Sequence, residues 1–221
     1  MEELSVGKRE ARKLRIVSQK YHIRTISALD GQLCFNKRRL MPNFFLITTL
    51  PLQSRFMASL DRQSSQLLQV IRSEGGLLRE KTKDTIKSPD IDVRRECLLK
   101  CLIMYLGEDA SCLIKEYQDD QREEAEREFE KTTMAFFVIC ESDALSRVLD
   151  ISIAIEGVEV LKELPTVACA CAMMFGLVYA LNLKYPEGLK YTFEAFQIII
   201  MDIESKQMSR RVQNLSSKLQ G

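Results

Sequence analysis

The stretch LPTVACACAMMFGLVYALNL, residues 164–183, decides the fold because none of its twenty positions carries a charge. Twenty apolar residues are long enough to span a membrane. However, Pro165, Thr166, Asn182 and the repeated Ala-Cys pairs replace the Leu and Ile that favour insertion, and neither flank carries a Lys/Arg cluster. We therefore expect this stretch to form a buried core helix rather than a membrane span.

Small side chains recur every four residues along one face of this expected helix. Such a ridge allows another helix to approach closely. It could serve as a dimer or partner interface, or it could pack within the chain against a helix expected over residues 189–203. The short connection between the two helices favours packing within the chain. The candidate interface residues are Ala168, Ala172, Gly176 and Ala180.

Helical periodicity extends outward from this stretch in both directions. Apolar residues recur at turn spacing over residues 55–71, before Gly75 and Gly76 end the run. Asp90 or Asp92 offers an N-cap for a second helix, and Gly107 ends that helix. Shorter helices are expected over residues 110–117 and 208–219, and after Pro186 an amphipathic helix runs over residues 189–203.

One pair of strands interrupts the helical pattern. β-Branched and aromatic residues dominate 132–140 and 148–155, with a polar turn between them, which predicts an antiparallel pair. After Glu156 and Gly157 the chain is expected to return to helix. The predicted fold over residues 54–221 is therefore α+β and mainly α-helical, a helical core with one antiparallel β-hairpin.

Residues 1–53 differ from the rest and predict a basic, less ordered N-terminal arm. Over residues 1–40, ten basic side chains face four acidic ones, and Asp30-Gly31 is suited to a hairpin turn. Cationic side chains of this kind can contact phosphates, so nucleic-acid binding by the arm is an alternative function, although two aromatic residues make a poor base-stacking platform. The candidate contacts are Lys8, Arg9, Arg12, Lys13, Lys37, Arg38 and Arg39.

The formal net charge of +1 conceals an acidic segment as well as the basic arm. Between Glu108 and Glu130, ten carboxylates face three basic side chains. The spacing lacks the Asp, Asn and Gly pattern of a calcium loop, so a solvated helix is favoured over a cation site. The charge balance excludes a uniformly basic or acidic protein but allows two opposed local fields.

No catalytic, cofactor or metal site is predicted. His22 is the single histidine and lies in the least core-like region. The pairs Cys97/Cys101 and Cys169/Cys171 could supply four zinc ligands, but they fall inside apolar helices and favour core cysteines. Nucleotide-binding glycine motifs are absent from the sequence. Seven cysteines, mostly in apolar runs, and a charged N-terminus favour an intracellular location, in the cytoplasm or nucleus.

Several short motifs resemble one family over about residues 55–220, roughly three quarters of the chain. The most specific are Tyr179-Ala180-Leu181-Asn182-Leu183, Tyr185-Pro186 and Leu189-Lys190-Tyr191-Thr192-Phe193-Glu194. Weaker matches are Leu60-Asp61-Arg62, Val93-Arg94-Arg95, Tyr105-Leu106-Gly107-Glu108-Asp109, Thr132-Thr133-Met134 and Glu156-Gly157-Val158. Together these runs resemble the C-terminal region of fish proteins similar to sterile alpha motif domain-containing protein 3.

The resemblance implies an intracellular protein without an assigned enzymatic activity, and it supplies no catalytic residues. The sterile alpha motif itself has no counterpart in this sequence, and residues 1–53 match nothing in the family, so a truncated or divergent copy is expected. We predict a non-enzymatic protein-interaction module with a protein partner or self-association, without a cofactor and without membrane insertion.

Overall fold

The computed structural model describes residues 51–85, 88–143, 147–203 and 207–220. The hairpin predicted around Asp30-Gly31 and nearly all of the basic arm lie outside these residues. The described elements are α1 (Leu52–Ser73), α2 (Gly76–Thr85), α3 (Ile91–Tyr105), β1 (Ile114–Gln118), α4 (Arg122–Phe129), β2 (Met134–Cys140), β3 (Val148–Ile155), β4 (Val158–Leu161), α5 (Val167–Ala180), α6 (Lys190–Ala195) and α7 (Arg210–Gln220).

Helix α5 is the buried centre of the molecule, as the uncharged stretch predicts. Thr166 caps its first turn by accepting a hydrogen bond of 3.1 Å from the backbone N–H of Cys169. The side chains described from Val167 to Val178 are buried. The helix has 14 residues. Among the described residues, no helix combines the length and the apolar character needed to cross a membrane.

Helices α1, α3 and α5 contact one another and form the helical layer. The predicted cap of α3 is confirmed, because the Asp90 carboxylate accepts a 2.8 Å hydrogen bond from the N–H of Asp92. Gly75 and Gly107, which end α1 and α3, both adopt positive φ, at 73° and 72°. Left-handed backbone of this kind favours glycine at helix C-termini. The mainly helical character of the fold is therefore confirmed.

The sheet is larger than the predicted hairpin. The antiparallel pair β2–β3 is present, but the sheet has four strands in the order β1-β2-β3-β4, and β1 runs parallel to β2. The helix predicted over residues 110–117 is wrong: only Ala110–Cys112 form a 3₁₀ turn, and the chain then continues as β1. Pairing with the apolar strand β2 outweighs the weak intrinsic preference of the sequence IKEYQ.

The return to helix after Glu156 is also wrong. Glu156 and Gly157 have φ values of 53° and 72°, the two consecutive positive values of a tight hairpin turn, and β4 follows antiparallel to β3. A Cβ at Gly157 would lie 2.7 Å from the carbonyl oxygen of Glu130. The turn therefore requires glycine at this position for both conformation and space.

The sheet separates two apolar layers of unequal size. Phe136, Val138 and Ile153 face the helical layer and join the main core. Ala135, Phe137 and Ile139 point to the opposite face, where α4 covers them with Ala125 and Phe129. Helix α4 is also the crossover between the parallel strands β1 and β2. The acidic stretch therefore has a structural role on this outer face.

The amphipathic helix predicted over residues 189–203 is present only in part. It begins with a 3₁₀ turn, Glu187–Leu189, continues as α6, and then widens into a π-helical turn, Phe196–Ile200. The N–H of Met201 donates to the carbonyl of Phe196, five residues earlier. Phe196 packs edge-to-face on Phe56 of α1, with ring centroids 5.3 Å apart, which ties this segment to the core.

Candidate functional site

The candidate interface ridge on α5 lies inside the molecule. Ala168 and Ala172 have no exposed surface. A Cβ added to Gly176 would overlap Cδ2 of Leu52 on α1, so the glycine allows the two helices to approach. Ala180 is the last residue of α5, and its side chain is not among those described. At Gly176 the ridge therefore meets α1, whereas the sequence favoured the helix of residues 189–203 as its neighbour.

The candidate nucleic-acid contacts lie outside the described residues. They are Lys8, Arg9, Arg12, Lys13, Lys37, Arg38 and Arg39, and His22 lies outside as well. Nucleic-acid binding by the arm consequently stays a prediction.

The two cysteine pairs that could be imagined as zinc ligands differ in their surroundings. Cys169 and Cys171 are buried, and burial raises the pKa of Cys171. Cys97 and Cys101 of α3 lie with their sulfur atoms 3.9 Å apart, and Cys97 is only half-buried. Within the described ranges, no cluster of three or more His, Cys, Asp or Glu side chains could hold a metal ion.

The acidic segment is anchored to the sheet by a few specific bonds. Glu128 of α4 forms an ion pair of 2.7 Å with Lys115 of β1 and accepts a hydrogen bond from the hydroxyl of Tyr117. The hydrogen bonds from Lys115 and then Tyr117 lower the pKa of Glu128. Asp119 accepts bonds from the N–H and the hydroxyl of Ser142, and the bond from the hydroxyl lowers its pKa most.

An open cleft of about 710 Å³ lies between α2, α3 and β1, and we call it the β1 cleft. Lys100 crosses it, with Nζ 2.7 Å from carboxylate oxygens of both Glu96 and Glu116. Burial opposes the positive charge of Lys100, but the bonds to Glu116 and Glu96 outweigh it and raise its pKa. The lining residues are Lys81, Lys100, Met104, Gly107, Glu108, Asp109, Ala110, Ser111, Ile114 and Glu116.

A second cleft of about 590 Å³ lies beside α7, and we call it the α7 cleft. Lys218 lies 2.9 Å from a carboxylate oxygen of Glu74 and donates a 3.2 Å hydrogen bond to the hydroxyl of Tyr105. Arg211 donates a 2.6 Å bond to the carbonyl of Leu106. The lining residues are Glu74, Tyr105, Leu106, Gly107, Arg211, Asn214, Ser217 and Lys218.

Gly107, at the C-terminal end of α3, lines both clefts, and we call the two clefts together the trough. A Cβ at this position would lie 2.5 Å from a guanidinium nitrogen of Arg211. The absence of a side chain therefore lets Arg211 reach the carbonyl of Leu106, at the helix end where carbonyl groups lack helical partners. Glycine at this junction is needed for its positive φ and for the close approach of Arg211.

Glu108, the next residue, lines the β1 cleft and holds the start of α6 in place. Its two carboxylate oxygens each accept a 2.8 Å hydrogen bond, one from the N–H of Tyr191 and one from the N–H of Thr192. These N–H groups belong to the first turn of α6, where a helix leaves donors unsatisfied. Glu194 of α6 in turn accepts a bond from the N–H of Ser209, just before α7 begins. Two carboxylates thus join α3, α6 and α7.

The sequence indicated that α3 ends at this junction, but not which residues meet there. Tyr105 to Asp109 is one of the runs that carry the family resemblance, and Gly107 marks the end of a helix. Nothing in the local sequence indicates that Arg211, more than a hundred positions later, contacts this glycine.

Comparisons with protein-family models, with curated proteins and with solved structures find no match to this chain. The resemblance to proteins similar to sterile alpha motif domain-containing protein 3 therefore remains a prediction.

Proposed function

We propose that this chain is a non-enzymatic protein-interaction module that binds an extended polypeptide segment along the trough. The observation that carries the proposal is that Gly107 lines both clefts, so a segment that occupied both would cross the end of α3 over a path longer than either cleft alone. An open path lined by eight charged side chains suits a peptide better than a compact small molecule, which favours a concave pocket with few polar groups.

The walls of the trough are ordered by bonds among themselves. Lys100, Arg211 and Lys218 each contact a carboxylate or a carbonyl oxygen within the chain. A preorganised surface loses less conformational entropy on binding. The two ends differ in charge, because three carboxylates and two lysines line the β1 cleft, whereas two cations and one carboxylate line the α7 cleft. This difference favours a peptide whose charges are complementary at its two ends.

Blocking variants test the proposal. Ser111 is exposed and lines the β1 cleft, and Ser217 is exposed and lines the α7 cleft, so Ser111→Trp and Ser217→Trp place bulk in the trough without removing an ion pair. Ser65→Trp, at an exposed position of α1 that lines neither cleft, is the matched control. Proteins captured from cells by the immobilised full chain and by each variant are compared by quantitative mass spectrometry.

We expect the same captured proteins to be lost with Ser111→Trp and Ser217→Trp and kept with Ser65→Trp. The purified partner should then bind the full chain directly. Peptides taken from the sequence of that partner should compete with it for binding. Capture that is unchanged in both trough variants, or lost equally with Ser65→Trp, contradicts the proposed site.

A further inference from the structure

Helix α3 carries a row of three sulfur atoms on one face. Cys97, Cys101 and Met104 follow one another at spacings of four and three residues, which place side chains on the same side of a helix. The two thiol sulfur atoms lie 3.9 Å apart. Cys97 is half-buried, Cys101 is buried, and Met104 lines the β1 cleft. The row therefore extends from the interior of the domain to a solvent-accessible wall.

The separation of the two thiol groups matches that of two ligands of one metal ion. Two thiolates about 2.3 Å from one ion lie about 3.8 Å apart in a tetrahedral site and about 4.0 Å apart in a trigonal one. The observed separation of 3.9 Å differs little from either value. Both residues lie within α3, one helical turn apart, so the helix fixes the positions from which the two side chains extend. Two sulfur ligands can therefore hold one ion with only small side-chain rotations.

The number and softness of the donors decide which ion fits. A structural zinc ion takes four ligands from Cys, His or carboxylate groups. Among the described residues, no group of three or more such side chains is brought together. Cu(I) is a soft ion that thiolate and thioether ligands select, and it accepts two or three ligands. Two thiolates and one thioether match its preference.

Charge near the pair also suits a monovalent ion. Two thiolates and one Cu(I) leave a single net negative charge, and Lys81 of α2 lies next to Cys97. The carbonyl of Lys81 lies 3.6 Å from the sulfur atom of Cys97 and accepts its weak hydrogen bond. Lys81 and Lys100 also line the β1 cleft, from which an ion can approach.

We propose that Cys97, Cys101 and Met104 form a Cu(I)-binding site on α3. On binding, two sulfur–hydrogen bonds break, two copper–sulfur bonds to thiolates form, the thioether of Met104 completes the site, and two protons leave to solvent. No electron is transferred, because copper enters and remains as Cu(I).

A competition titration tests the site on the full chain. Cu(I) held by a colorimetric chelator is offered under anaerobic conditions, and transfer to the protein is followed by the loss of chelator colour. We expect the Cys97→Ser and Cys101→Ala variants to lose one tightly bound equivalent that the wild-type chain binds. Met104→Leu should weaken that equivalent by about tenfold to a hundredfold, the range for groups that support metal binding.

Cys112→Ser is the matched control, because Cys112 is an exposed thiol on a separate segment, and it should keep the equivalent. Cys97→Ser changes a half-buried position, so unaltered circular dichroism and melting separate lost binding from lost folding. The proposal is overturned if Cys97→Ser binds Cu(I) as tightly as the wild type, if Cys112→Ser removes the equivalent, or if equimolar Zn²⁺ displaces Cu(I).

Discussion

Helices α5 and α7 show two different ways of holding a helix in one domain. The described side chains of α5 from Val167 to Val178 are buried, and the helix meets α1 through small residues. Helix α7 is mostly polar and buries only Val212 and Leu215, while polar bonds from Arg211, Lys218 and the preceding Ser209 attach it to other elements. Close packing of side chains therefore positions α5, whereas hydrogen bonds and ion pairs position α7.

The difference predicts which substitutions should reduce the stability of each helix. A tightly packed seam responds to added volume, because neighbouring atoms cannot move without losing contacts elsewhere. A helix held by polar bonds responds to the loss of one partner, because the remaining group must return to solvent or stay unpaired. Helix α4 combines the two, because Ala125 and Phe129 pack on the sheet and Glu128 forms an ion pair with β1.

The largest effect is expected from Gly176→Leu in the seam. The added side chain would overlap Leu52, so we expect the free energy of unfolding to fall by about 3 kcal/mol or more. Urea unfolding measures this change. Gly188→Leu is the control, because nothing lies within 4 Å of a Cβ at Gly188. A change of mass in light scattering without loss of stability would instead place the ridge between two copies.

A smaller effect is expected from Glu108→Ala, which removes the shared acceptor of the N–H groups of Tyr191 and Thr192. Hydrogen bonds to a charged group contribute about 1.5–3 kcal/mol, so we expect a loss of about 2 kcal/mol. Amide hydrogen exchange at these two positions should accelerate more than exchange in α5. Glu108→Gln keeps one carbonyl acceptor, so its exchange rates at Tyr191 and Thr192 should lie between those of the wild type and of Glu108→Ala. Equal exchange rates in all three proteins would contradict the role of Glu108 in holding α6.

Arg211→Ala should cost about 1 kcal/mol, since it removes one hydrogen bond to the carbonyl of Leu106 and the contact with the ring of Tyr191, 4.9 Å away. Thermal melting of Arg210→Ala, the exposed neighbour, provides the control and should be close to that of the wild type. If both arginines have the same effect, the bond at Gly107 does not position α7.

The smallest effect concerns pH and Glu128. Its pKa is lowered in the folded chain, so its bonds stabilise the protein above the unfolded value of 4.5 and are lost as the pH falls below it. The side chain is 40% exposed, which limits the contribution to less than about 1 kcal/mol. Glu128→Gln should flatten this acidic part of the stability curve, and an unchanged slope in this variant would contradict the stabilising role of the Glu128 bonds.

The sequence was most informative where local chemistry decides the structure. The uncharged stretch predicted α5, Asp90 predicted the start of α3, and Gly107 predicted its end, because capping and periodicity depend on neighbouring residues. The strands β2 and β3 were likewise predicted from their apolar and β-branched composition.

Prediction failed where distant partners decide the structure. The polar segment IKEYQ becomes β1 because it pairs with β2, twenty residues later, and the turn at Glu156 and Gly157 was not recognised as a hairpin. The trough was missed for the same reason, since its α7 side is formed by residues such as Arg211 that lie more than a hundred positions after Gly107. A local sequence pattern does not indicate which distant segment a strand or side chain will contact.

The seam between α1 and α5 is the central claim, and a double-mutant cycle of Gly176→Ala with Leu52→Ala tests it most directly. Alanine is about 1 kcal/mol better than glycine inside a helix, so a glycine here indicates a packing requirement. We predict that Gly176→Ala destabilises the wild-type chain but is tolerated beside Leu52→Ala, where the new methyl group fills the space left by leucine. Strictly additive changes in unfolding free energy would contradict contact between these two residues.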